Sequence, residues 1–129
     1  MRQFKFRAWS NEHNRYCDFV TLDEDGRWIG WIKGSGVYLT TADIILEQYT
    51  GLKDNDGKEI YEGDVLWWEH YNGMNGKMYE HKAEVYYDEK LAEYFVSYAD
   101  TSLGELIMEE EVYINTNIHE NPELLGGKE

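Results

Sequence analysis

Apolar and polar side chains alternate one for one along much of this chain, and only short stretches depart from that period. Phe4, Phe6 and Ala8 alternate with Lys5, Arg7 and Trp9, the pattern of a half-buried strand. Residues 10–14 (SNEHN) read as a turn, and residues 16–22 as the returning strand, closed by Asp23, Glu24, Asp25 and Gly26. Residues 28–33 predict a third strand, with Gly34, Ser35 and Gly36 as a loose connection to Val37, Tyr38 and Leu39. Residues 41–48 fit two descriptions. Thr40 or Thr41 could cap a short helix carrying Ile44, Ile45 and Gln48, while the β-branched pair also suits a strand. The expectation is a one- or two-turn helix or bend, joining an N-terminal β unit to a second unit that begins near Tyr49.

Along residues 65–70 consecutive side chains face opposite ways, so Trp67 and Trp68 cannot both enter one core. Leu66 and Trp68 are expected inward; Trp67, beside Glu69, is expected outward or toward a partner. Residues 70–81 (HYNGMNGKMYEH) read as a mobile hairpin tip or loop. Residues 83–87 and 94–98 predict strands joined through Asp88, Glu89 and Lys90, with Tyr94, Val96 and Tyr98 on one face. Leu103, Leu106 and Ile107 have helical spacing over a single turn, interrupted early by Gly104. Residues 112–118 predict a closing strand with Val112, Ile114, Thr116 and Ile118 on one side, and the tail after Pro122 reads as frayed.

Residues 49–66 (YTGLKDNDGKEIYEGDVL) pack two turn signals and two strand starts together. Asp54, Asn55, Asp56 and Gly57 make a tight reversal, because Asp and Asn bond their own backbone and Gly accepts a left-handed conformation. A second break at Glu62, Gly63 and Asp64 precedes the apolar run Val65, Leu66, Trp67, Trp68. This stretch resembles the signature of the YopX-like family of phage and prophage proteins. The opening KFRAW, followed here by Ser10 where the family often has Asp, and the phrase IHENPELL at residues 118–125 resemble the family's two ends. The three anchors span essentially the whole chain. The resemblance implies a mainly β protein with a small barrel of the Src-homology-3 type, preceded by an antiparallel β unit. Many short strands and no long amphipathic helix independently support the all-β class. The organisation expected is an N-terminal β unit and connection over residues 1–48, a small β-barrel domain over 49–125 and a frayed tail at 126–129. Asp54, Asp56, Gly57, Gly63 and Asp64 are assigned to structural turns.

The chain has 129 residues, enough to bury roughly two-thirds of its unfolded surface. Its single cysteine, Cys17, cannot bridge internally, which fits a reducing cytoplasm. Charges at Arg2, Lys5 and Arg7 without an apolar run behind them do not make a signal peptide, and no apolar stretch is long enough to span a bilayer. A cytoplasmic protein in a host cell is the expectation. The 26 Asp and Glu against 12 Lys and Arg give a charge of −14, which repels a phosphate backbone at long range. Direct nucleic-acid binding and membrane binding are therefore not expected. Aromatic residues at 16% of the chain argue for a packed β core rather than disorder.

Reactive constellations are sparse. With Gly57 as the sixth position of a calcium loop, Leu52 and Gly63 fall on the first and twelfth, where ligands are required, so a plain β-turn is preferred. His13, His70, His81 and His119 form no metal-ligand spacing, and Cys17 has no second cysteine nearby. Glu109, Glu110 and Glu111 read as a solvated edge or turn. Nucleophile, phosphate-loop and dinucleotide motifs are missing from the sequence. No catalytic residue, cofactor or metal site is assigned, and an enzyme is not expected. Trp28, Trp31, Trp67, Tyr86 and Tyr94 could stack bases, but the cations are scattered and core packing explains most of these rings.

One surplus points outward. The adjacent pairs Trp67, Trp68 and Tyr86, Tyr87 must each leave one ring off the inner face. Exposed rings mark contact surfaces, so Trp67, Tyr86 and Tyr94 are candidate interface residues, the equal alternative being that the N-terminal β unit covers such rings within one chain. The reading is a non-enzymatic phage or prophage accessory protein, a β-rich module that binds protein, itself included as a homo-oligomer. The alternative is an acidic nucleic-acid mimic that inhibits a host DNA-binding protein. It requires acids such as Glu69, Glu84, Asp88, Glu93 and residues 109–111 to be spaced about 7 Å apart on one face.

Overall fold

The computed structural model describes residues 5–97 and 101–120. The chain divides into two compact units, Met1–Tyr49 and Thr50–Glu129. The first holds β1 (Phe6–Ser10), β2 (Arg15–Tyr16), β3 (Phe19–Leu22), β4 (Trp28–Trp31) and β5 (Tyr38–Thr40), and β6 (Ile44–Lys53) begins in it. β1 pairs antiparallel with β2 and with the first half of β6, from Phe6↔Gln48 to Ser10↔Ile44, while β3, β4 and β5 form a separate antiparallel meander.

Residues 44–48 are thus strand, not the expected helix or bend. A long partner strand at β1 outweighs a possible threonine cap, and β-branched Ile44 and Ile45 suit the pleat. The expected single strand over residues 16–22 is two. Cys17 donates its backbone N–H to Ala8, and the next residue, Asp18, donates to Trp31. The chain therefore changes sheet between them, and the Asp18 carboxylate fixes the change by accepting the Lys33 N–H at 2.6 Å. Ala8, Ile32, Leu39 and Ile44 make the core of this unit, with Cys17 packed against it. Gly30 lies so close to Cys17 that a Cβ there would stand 2.7 Å from the thiol sulfur. Burial, with the Asp18 carboxylate second, pushes the Cys17 thiol up from its ordinary range.

Two turns of one design punctuate the chain. Asp23 Oδ1 accepts the N–H groups of Asp25 and Arg27, and Asp54 Oδ1 accepts those of Asp56 and Lys58. In each the Asp N–H bonds the carbonyl four residues on, and a glycine at φ 79° or 81° closes the reversal. The N–H of Arg27, chiefly, holds the Asp23 carboxyl below its ordinary value. The two turns differ in surroundings. Asp54 is buried, and its second oxygen accepts the N–H of Ile114 at 3.0 Å. Neighbouring Asn55 exchanges two bonds with Val112, donating its N–H to the carbonyl and accepting the N–H on Oδ1. The second sequence break is built similarly: Gly63 has φ 88°, and buried Asp64 accepts the Tyr61 N–H at 2.8 Å.

The second unit continues with β7 (Glu59–Tyr61), β8 (Asp64–Asn72), β9 (Lys77–Asp88), β10 (Glu93–Val96), α1 (Leu103–Glu109) and β11 (Tyr113–Asn117). Strands run in the order β10-β9-β8-β11, all antiparallel, curled into a half-barrel. Leu66, Trp68, Ala83, Val85, Tyr94 and Val96 turn one face inward to meet Leu103 and Leu106 of the helix. The mainly β class expected from the sequence is the class observed.

The supposed loop at residues 70–81 is mostly strand. β8 and β9 stay in register from Val65↔Glu84 to Asn72↔Lys77, leaving only residues 73–76 for the turn. Cross-strand pairing fixes a segment whose glycines and asparagines suggested mobility. Gly104 does not interrupt the helix. Ser102 caps it by accepting the Glu105 N–H while Glu105 reaches back to the Ser102 N–H, and this capping box offsets the glycine. A bulge between Ile114 and Thr116 breaks the alternation expected of the last strand, so Asn117, not Thr116, is buried. The expected strand residue Tyr98 and the tail beyond residue 120 lie outside the described residues. Among the described residues no helix is long and apolar enough to cross a membrane.

Replacing Asp54 by Ala strands three N–H donors, two of the turn and one of β11, and is expected to cost about 3 kcal/mol or more in denaturant unfolding. The equivalent Asp23→Ala change, on an exposed turn with no reach to another strand, should cost far less. Gly30→Ala should destabilise by about 1–3 kcal/mol. Cys17→Ala should recover most of that loss, since the remaining Cβ would lie 3.5 Å away, an ordinary contact. A double-mutant cycle measures the coupling.

Candidate functional site

The sheet pleat sends Trp67, Glu69 and Tyr71 of β8 to the face opposite the core, together with Met78, Glu80 and Lys82 across the ladder on β9. Tyr113 of β11, paired with Trp67, points the same way, and its ring centroid lies 6.2 Å from the indole. Past this pair the β8–β11 ladder stops. The chain ahead of Tyr113 leads back into the end of the helix, while the backbone groups of Val112, which face away from β8, bond Asn55. The two segments part, and a groove of about 380 Å3 opens, lined by Trp67, Glu69, Tyr71 and Met78 on one side and Glu109, Glu110, Glu111 and Tyr113 on the other.

Three rings and a thioether thus floor a groove rimmed by four carboxylates. Two of the carboxylates have local partners: Glu110 meets His70 Nδ1 at 2.8 Å, and Glu111 accepts the Tyr113 hydroxyl at 3.2 Å. Glu69 and Glu109 have no cationic partner among the described residues. Glu69 also stands directly across from Glu80, a like-charged pair that costs stability. Glu80 is held to one side because it accepts the Trp67 indole N–H at 2.8 Å. Partial burial, and then the Glu111 carboxylate, raise the Tyr113 phenol above its ordinary range. Among the described residues no three His, Cys, Asp or Glu side chains come together as a metal site. The groove suits an organic cation: a guanidinium or ammonium can lie on the indole or phenol faces while a carboxylate neutralises it.

The model of the YopX protein family matches residues 5–126. The chain belongs to the YopX family. Among solved structures it is similar to protein EF1440 from Enterococcus faecalis, with 28% identity, a TM-score of 0.69, and coverage of 97% of this chain and 99% of that one. No curated protein matches it. A family likeness along the whole chain, in fold as well as sequence, agrees with the three anchors read from residues 5–9, 49–66 and 118–125.

Of the rings expected at an interface, only Trp67 lies in the groove. Tyr86 shares that face of the sheet and is exposed, but it stacks with Phe95 of β10 at 6.3 Å. Tyr94 does not belong with them. It is buried in the core, where it meets Tyr87 across the ladder, because Val85 and Tyr87 occupy the inward positions of β9. Trp28 and Trp31 pack on Phe6 and Tyr38 within the first unit. The N-terminal cations Lys5 and Arg7 are matched within the first unit too. Arg7 bonds Glu47 at 2.8 Å and covers the Tyr16 ring, Lys5 lies over Tyr49, and Arg2 falls outside the described residues.

Sequence reasoning missed Tyr71, Met78 and Tyr113 as companions of Trp67. The signal was present: alternate residues 67, 69 and 71 on one strand require the intervening segment to be read as strand, not loop. Replacing Glu111 by Gln should lower the Tyr113 phenol titration toward the ordinary tyrosine range. It should not reach that range, because burial is the larger cause. Alkaline spectrophotometric titration against a Tyr113→Phe reference checks this.

Proposed function

We propose that this protein is a non-enzymatic binding module, a phage or prophage accessory component of the host cytoplasm, that takes a Lys- or Arg-bearing segment of a partner protein into the Trp67–Tyr113 groove. The observation that carries the reading is the convergence of three exposed or half-exposed rings and four glutamates on one opening in a sheet face. Each cation–ring contact is worth about 0.5–1 kcal/mol at an exposed site, and more when water is excluded. The charge of −14 adds long-range attraction for a basic partner. A chain so acidic offers few basic segments of its own, which favours a different protein over a second copy as occupant.

The nucleic-acid-mimic alternative needs one row of acids. Glu69 and Glu109–111 instead face one another across a groove, while Asp88 and Glu93 pair with each other at the far end of the β9–β10 ladder. These positions support the groove reading.

A basic peptide is expected to bind with an affinity of order micromolar and to weaken steeply as salt is raised. Trp67→Ala should weaken it about fivefold or more, and Glu69→Gln with Glu109→Gln similarly, in calorimetric titrations. A neutral peptide of the same length binding equally well would remove the basis for this function.

A further inference from the structure

The hydrogen-bonding phase of the sheet says how such a segment would lie. Ser97 donates its N–H to the Glu84 carbonyl, and Ser97 Oγ accepts the Glu84 N–H, so even-numbered residues of β9 direct their backbone groups toward β10. Odd-numbered residues of β9 then bond β8, and through the unbroken register their partners on β8 are the even-numbered Leu66, Trp68, His70 and Asn72. The odd-numbered residues of β8 face β11. Trp67 meets Tyr113 there, but Glu69 and Tyr71 come after the ladder has ended. Among the described residues nothing pairs with their N–H and C=O groups, which run along the wall of the groove.

We propose, resting on the groove reading above, that the partner segment binds as an added β-strand on the free edge of β8, hydrogen-bonded to Glu69 and Tyr71 and carrying its cationic side chains at alternate positions. In an antiparallel or parallel ladder, side chains flanking Glu69 and Tyr71 on the new strand share their face of the sheet. Two residues spaced i and i+2 therefore project into the ring-floored, carboxylate-rimmed groove. The residue between them projects to the opposite face, beside the buried Trp68 and the His70–Glu110 pair, and takes no part in the cation contacts of the groove. The ligand class is an extended segment with cations at i and i+2, and a helical or compact basic epitope does not fit it.

Three synthetic peptides of equal length and charge separate the possibilities, titrated into the full chain. The first alternates arginine with valine, the second groups its arginines together at one end, and the third is the alternating peptide with N-methyl groups on the backbone amides that would face Glu69 and Tyr71. The alternating peptide should bind at least about tenfold more tightly than the other two. N-methylation in the opposite phase, on amides that face solvent, should leave its affinity within about twofold. In amide exchange the N–H groups of Glu69 and Tyr71 should slow on binding. Equal binding of the three, or unchanged exchange at Glu69 and Tyr71, overturns strand addition while leaving a cation-binding groove. Binding by none of them overturns both.

Discussion

A buried carboxylate that accepts three backbone N–H groups organises the larger unit. Asp54 closes its own turn with one oxygen and grips β11 with the other, and Asn55 beside it holds both backbone groups of Val112. Such an acceptor is costly to bury unless its donors are in place, so the turn and the closing strand stabilise each other or neither forms. The consequence reaches the edge of the groove. Val112 and Ile114 direct their backbone groups to the turn, and Tyr113 between them faces Trp67 of β8, so the stretch that carries the family signature positions Tyr113 beside the candidate site, though it contributes no side chain to its lining.

Local chemistry made the turns legible. Asp-x-Asp-Gly reads as a reversal wherever it stands, and both copies of it fold alike at Asp23 and Asp54. Nothing in those few residues separates an exposed turn from one buried against a distant strand, because the difference lies in Ile114 and Val112, some sixty positions on. Residues 44–48 and most of residues 70–81 show the same limit from the other side. Their local composition suggested helix or loop, and pairing of β6 with β1 and of β8 with β9 decided for strand. Period-two alternation correctly placed Leu66 and Trp68 inward. It could not show that Tyr94 would be covered, since burial at the end of a strand depends on the helix laid across it.

The outer face of β8 and β9 conflicts with stability in a specific way. Glu69 faces Glu80, and Glu109 to Glu111 gather beside the C-terminal end of α1, where the helix dipole already disfavours negative charge. His70, the Tyr113 hydroxyl and the Trp67 indole N–H offset this locally, and Lys82 stands on the same face across from Trp67. Among the described residues no cation pairs with Glu69 or Glu109. Acidic residues held together against mutual repulsion, over rings that could be covered, are the arrangement expected where a ligand supplies the missing positive charge.

Charge and edge also constrain one another. An exposed strand edge invites indiscriminate pairing, and proteins commonly blunt one with charged side chains. Here Glu69, Glu80 and Glu109 to Glu111 outnumber the nearby Lys82 and His70 around the free part of β8, so a strand from another copy of this acidic chain meets net repulsion, whereas the proposed basic strand would not. The same glutamates can thus act as a guard against self-pairing and as a selector for a partner. Specificity of this kind comes from what the site repels as much as from what it holds. It links the net charge of the whole molecule to two backbone positions, Glu69 and Tyr71, at the fork of the sheet.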